Sequence, residues 1–132
     1  MRLTKLRNNE AGVAAVEMAL ALPILLVLIY GIFQIGVIMS ASAGMQHALG
    51  EGARFATVFP TPTDAEIGTR MQDRVFGMNI GTFSTPTVTT PATSVCTNCR
   101  LLSVTYAVTP NFLFFRGPPI TMTRTKQVYL SF

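Results

Sequence analysis

"NEAGVAAVEMALALPILLVLIY", residues 9–30, suits a hydrocarbon environment after Glu10 except for a second carboxylate, Glu17, inside it. Residues 18–39 carry no charge at all, and as a helix that run is about 33 Å long, enough to cross a bilayer core. Glu17 is the sole formal charge between Ala11 and Gly50. A carboxylate at mid-bilayer costs about 2.5 kcal/mol or more, so Glu17 in the opening turns of the segment reads as functional. The plainer reading is a side chain that snorkels to the headgroups and marks the helix start.

Working outward, Arg2, Lys5 and Arg7 precede the apolar run against Glu10 alone. By the positive-inside rule that flank stays cytoplasmic and the C-terminal part is exported. A chain of 132 residues, 49% apolar and 12% charged, has room for one membrane segment and one small domain. The net charge of +4 does not indicate nucleic-acid binding. Its basic residues are the flank plus cations spread singly, with no basic stripe. Ala41-Ser42-Ala43 resembles a leader-peptidase site, but a secretory signal has an apolar core of about 7–15 residues and this one is longer. An uncleaved single-pass anchor explains everything except Gly12 and Glu17.

A short basic leader ending in Gly12, then Val13-Ala14-Ala15-Val16-Glu17 and a long apolar stretch, resembles the type IV prepilin signal. Leu22-Pro23, Gly31-Ile32-Phe33 and especially Glu51-Gly52-Ala53-Arg54-Phe55-Ala56 are similar to the TadE-like family, pseudopilins or minor pilins of tight-adherence (Tad/Flp) pili. Met18 stands where processed members carry an aromatic. The resemblance implies cleavage by a prepilin peptidase between Gly12 and Val13. It implies a place in the bacterial inner membrane, with the C-terminal domain exported and the subunit a candidate for the surface pilus. The implied partners are other pilins and pseudopilins, the peptidase, the inner-membrane assembly platform and the lipid bilayer. Cleavage would remove the leader cations and leave an ammonium at Val13, four residues and one helical turn from Glu17. A carboxylate paired with its own or a neighbour's amine is tolerable in apolar surroundings and can set subunit register; unpaired, it is a penalty.

The helical pattern continues past the membrane. Met45, Leu49, Ala53, Ala56 and Phe59 keep an apolar side, Gln46, Glu51 and Arg54 lie off it, and Pro60 and Pro62 end the run. This predicts a transmembrane and stalk helix over residues 13–59, about 70 Å long, with an exported domain over residues 60–132. Gly36, Ser40, Gly44, Ala48, Gly52 and Ala56 place a small residue at every fourth position, which lets helices approach closely. Such a row drifts by about 40° per step, so one crossing uses only part of it, with Gly36, Ser40 and Gly44 the subunit-packing candidates. Composition alone could also produce the row. Glu51 and Arg54 are spaced for a solvated i,i+3 pair, or for a contact to the globular part or a partner.

Thr63-Asp64-Ala65-Glu66 reads as a capping box opening a short helix over about 64–76, with Ile67, Met71 and Val75 on one face and Gly77 as the stop. Residues 81–95, rich in Thr, Ser and Pro, suit a loop or an irregular edge strand. Leu102, Val104, Tyr106 and Val108 alternate with polar or small residues, giving a strand, and a last strand runs from about Ile120 to Leu130, interrupted in parity by Arg124 and Lys126. Phe112, Leu113, Phe114 and Phe115 fall in the connection, as a lid over the core or a subunit contact.

Cys96 and Cys99 form a CxxC that an exported context favours as a disulfide. A redox site would need a helix N-terminus and a βαβ surround, and zinc two more ligands, with only His47 to help. No catalytic, cofactor or metal constellation stands out. The expected fold is α+β and pilin-like: a long N-terminal helix, a short helix and a small antiparallel sheet. The expected role is assembly, as a minor pilin or pseudopilin and not an enzyme. The alternatives are an uncleaved assembly factor of the same family, or an anchored domain working through Cys96 and Cys99.

Overall fold

The computed structural model describes residues 10–78, 80–91, 96, 98–112 and 114–130. The basic flank Arg2, Lys5 and Arg7, residues 92–95 of the Thr-rich segment and Leu113 lie outside the described residues.

Helix α1 spans Glu10–Ala56, 47 residues and about 70 Å. It starts before Gly12 and continues through Pro23, whose missing N–H leaves the Ala19 carbonyl without its intrahelical donor. It ends slightly earlier than expected. Thr57 N–H bonds Arg54 O and Val58 N–H bonds Phe55 O, tightening the final turn, and Phe59 lies exposed beyond it instead of on the apolar side.

Helix α2 spans Asp64–Gln72. Its capping box is formed: Thr63 N–H donates to Glu66 Oε2 at 2.7 Å and Glu66 N–H donates to Thr63 Oγ1 at 3.3 Å. These bonds to Thr63, backbone first and hydroxyl second, hold the Glu66 carboxyl below its ordinary pKa. Turn-type bonds from Arg74 and Val75 to Met71 O carry the chain past the helix end, so Gly77 follows the stop without making it.

The strands are β1 Thr82–Phe83, β2 Thr87–Thr89, β3 Cys99–Val108, β4 Asn111–Phe112, β5 Phe115–Arg116 and β6 Ile120–Tyr129. β3 is the sheet's axis, antiparallel to β6 along its full length and to β1 and β2 on the other edge. β4 and β5 form a separate hairpin, closed at its base by Gly117 N–H to Pro110 O at 2.8 Å.

Opposed residues of an antiparallel pair share a face, so Leu102, Val104 and Tyr106 lie on the same side as Lys126, Arg124 and Met122. That side meets α1. The core is Ala41, Met45, Leu49, Ala53 and Ala56 of α1, Ile67 and Met71 of α2, and Leu102, Val104, Tyr106, Val108 and Val128 of the sheet. The cations that break the parity of β6 belong to the inward face near its open edge; Arg124 Nη2 reaches out to donate to Ser42 Oγ of α1 at 3.3 Å. Tyr106 is fully buried, and burial pushes its hydroxyl pKa up, with the Gly81 backbone offsetting part of the rise. That backbone is close, yet not in hydrogen-bonding geometry.

The C-terminal half of α1 is therefore inside the domain it precedes, so the folded unit begins well before residue 60.

Candidate functional site

α1 divides at Gln34. From Val13 to Phe33 most of its large side chains stand exposed, among them Val16, Leu20, Ile24, Leu28 and Ile32, with Val27 and Tyr30 half-buried. A helix apolar on every face with nothing covering it is suited to lipid or to other apolar helices. From Gln34 onward one side is buried at Val37, Ala41, Met45, Ala48 and Leu49. The uncovered part, residues 13–33, is about 31 Å long and matches a hydrocarbon core.

Gly12 lies in the first turn of α1, with nothing within 4 Å of a Cβ built there, and Val13 is exposed beside it. Glu17 follows one turn later on the uncovered helix, where Ala14, Glu17, Met18 and Ala21 line a shallow depression. Alanines on either side of the carboxylate leave room for a group to approach it.

The small-residue spiral divides in the same way. Gly36 faces open space and Ser40 is half-buried. Gly44 is taken up within the chain: a Cβ there would collide with the Phe76 carbonyl. Gly52 is likewise covered, by the Met71 side chain. Close helix approach on this spiral serves the protein's own domain at Gly44 and Gly52 and leaves only Gly36 unobstructed.

The Glu51-Gly52-Ala53-Arg54 stretch works as a joint. Arg54 Nη1 donates to Glu51 Oε1 at 3.2 Å, while Glu51 Oε2 lies 3.7 Å from Arg70 Nη2 of α2. The solvated i,i+3 pair expected from spacing is present, and Glu51 also ties the stalk to α2. Gly52 and Ala53 admit Met71 and the sheet between these charges. Sequence reasoning missed Arg70, because no spacing rule links residues on different elements. Nearby, His47 Nδ1 donates to Arg74 O at 3.3 Å and its ring meets Phe76 edge-on at 5.4 Å.

Cys96 and Cys99 are joined by a disulfide, and Gln127 Nε2 of the neighbouring strand donates to Cys99 Sγ at 3.2 Å. The bridge lies at the start of β3, where Asp64 of α2 also accepts from Arg100 Nε at 2.7 Å. Among the described residues no three His, Cys, Asp or Glu side chains gather to hold a metal ion.

The uncovered helix, the small residues and the joint all fall within one segment, and that segment has known relatives. The family model of TadE-like proteins matches residues 12–54. Over this stretch the chain is TadE-like. The match begins at Gly12 and ends at Arg54, and so takes in α1 almost entirely. A TadE-like segment implies a protein associated with the Tad pilus, with other pilus components as its partners. Its apolar N-terminal helix suggests membrane anchoring. No curated protein and no solved structure matches the chain.

Proposed function

We propose that the protein is a minor pilin or pseudopilin required for assembly of a Tad/Flp-type pilus, processed by a prepilin peptidase after Gly12 and not itself an enzyme. The observation that carries this reading is Glu17, exposed on an uncovered apolar helix one turn beyond Val13, at the start of the TadE-like segment. Cleavage converts Val13 into an ammonium, and Glu17 accepts that charge or a neighbouring subunit's. The pair fixes the register of helices packed side by side along residues 13–33. Glycine in a helix is already unfavourable by about 1 kcal/mol relative to alanine, so unwinding at Gly12 to enter a protease cleft is eased.

In this reading the N-terminus begins in the cytoplasm, α1 is anchored in the inner membrane and the sheet domain faces the exported side. Intact mass of the protein from its native membrane tests processing: a chain starting at Val13 is expected, and one starting at Met1 overturns it. Glu17→Ala tests pairing. It should leave cleavage and insertion intact and abolish co-purification with other pilins; unchanged co-purification refutes the pairing role.

A further inference from the structure

The β4–β5 hairpin reaches back along α1 into its apolar half. Gln34 Nε2 donates to Asn111 O at 3.2 Å, and a Cβ on Gly31 would sit 3.9 Å from Phe112 Cε1. Gly31 and Gln34 are three apart and so share a helix face. Gly31 lies about 12 Å inside the charge-free run of residues 18–39, and Gln34 caps the uncovered length that matches a bilayer core. A hairpin fastened there is at membrane level. Its outer side is apolar: Phe114 is 73% exposed and Phe115 58%, with Phe115 stacked on Phe112 at 5.0 Å. Tyr30 and Phe33 of α1 pair at 6.1 Å at the same height. Arg116, exposed, stands opposite Asn111 at the hairpin's base.

Aromatic rings gathered where an apolar span ends, backed by a cation, are the composition of a membrane interface. The lid reading fails for Phe114 and Phe115 on their exposure, since a lid would turn them to the core. We propose that the β4–β5 hairpin is a second membrane contact, seating Phe114 and Phe115 in the outer boundary of the bilayer beside α1, with Arg116 among the headgroup phosphates. The occupant is lipid, because the patch is continuous with the uncovered span and level with its end. The contact fixes the height of the sheet domain above the membrane, and extraction into a fibre must withdraw the hairpin as well as the helix.

This rests on the anchoring of α1 in a membrane, so the test carries its own control. The chain has no tryptophan, which makes a single introduced one a clean reporter. Full-length Phe114→Trp and, separately, Leu25→Trp are placed in phosphatidylcholine–phosphatidylglycerol vesicles bearing brominated acyl chains or headgroup nitroxides. The expected result is blue-shifted emission for both, with Leu25→Trp quenched mainly by deep bromines and Phe114→Trp mainly by shallow bromines and nitroxides. Quenching at Leu25→Trp with water-like, unquenched emission at Phe114→Trp overturns the hairpin contact and leaves the anchor standing. Blue-shifted emission at Phe114→Trp that no lipid quencher touches shows a protein partner instead and also overturns it. An unquenched Leu25→Trp removes the membrane reading beneath both. Phe115→Trp repeats the measurement should the first variant perturb the turn.

Discussion

Gly36 and Gly44 lie two turns apart on one helix and have opposite surroundings. A methyl group at Gly36 meets nothing, whereas at Gly44 it runs into the backbone of Phe76. The same contrast holds for the two halves of α1. Residues 13–33 are apolar apart from Glu17 and largely uncovered, with the β4–β5 hairpin touching them near Gly31; the helix beyond Gln34 is half-buried against α2 and the sheet. The lesson is that one helix serves two apolar solvents. Its first half keeps its hydrophobic surface for lipid or other helices, and its second half has already spent it on folding.

The comparison breaks most directly at buried leucines and isoleucines. Leu102→Ala or Ile67→Ala removes a fully buried side chain from the contact between α1, α2 and the sheet, and should destabilise the domain by about 3 kcal/mol. Leu25→Ala, on the uncovered half, should leave domain stability unchanged. Denaturant titration of the full chain in micelles, followed by near-ultraviolet circular dichroism, separates the two. Gly44→Ala comes next, at about 2 kcal/mol, since a backbone carbonyl cannot swing aside as a side chain can. Gly36→Ala should be neutral or slightly stabilising by helix propensity, and any loss it causes should appear only in co-purification with other pilus components.

Much of this was legible in the sequence, for identifiable reasons. The period of two in Leu102, Val104, Tyr106 and Val108 marks β3 because one face of that strand is buried. The Thr63 capping box marks α2 because its bonds are local, and the close spacing of Cys96 and Cys99 marks the disulfide. The division of α1 at Gln34 left no such mark. Lipid and protein core select the same residues, so an unbroken apolar pattern conceals where one gives way to the other. The short strands β1 and β2 were legible only as a loop or an irregular edge strand, because Thr-rich segments have no apolar alternation; their pairing is imposed by β3. The β4–β5 hairpin was hidden in a run of aromatics with no turn signature, and the Glu51–Arg70 and Gly44–Phe76 contacts join residues that only the tertiary fold brings together.

Smaller effects sharpen the boundary at α2. Thr63→Ala removes the cap and should cost about 1 kcal/mol. Glu66 adds a pH dependence whose sign follows from its lowered pKa. Its contribution is fully present above the unfolded-state value and is lost as pH falls through the lower folded-state value, so acid weakens the domain below the ordinary carboxylate range. Glu66→Gln keeps a group that can accept from Thr63 but cannot titrate, and its acid transition should be shallower than that of the parent chain.

The smallest effect concerns the joint itself. Arg54 is 83% exposed in its pair with Glu51, and Arg70 is 40% exposed on the other carboxylate oxygen. Exposed pairs contribute about 0–1 kcal/mol, so Arg54→Ala should shift stability by no more than a few tenths, and less in high salt. Arg70→Ala should cost more, because it removes the ion pair between the stalk and α2 and leaves Glu51 with only its neighbour on the helix. Equal effects would show that Glu51 does not link the two helices. The joint would then be held by the packing of Gly52 and Ala53 alone, and the charges of that motif would be free for a partner.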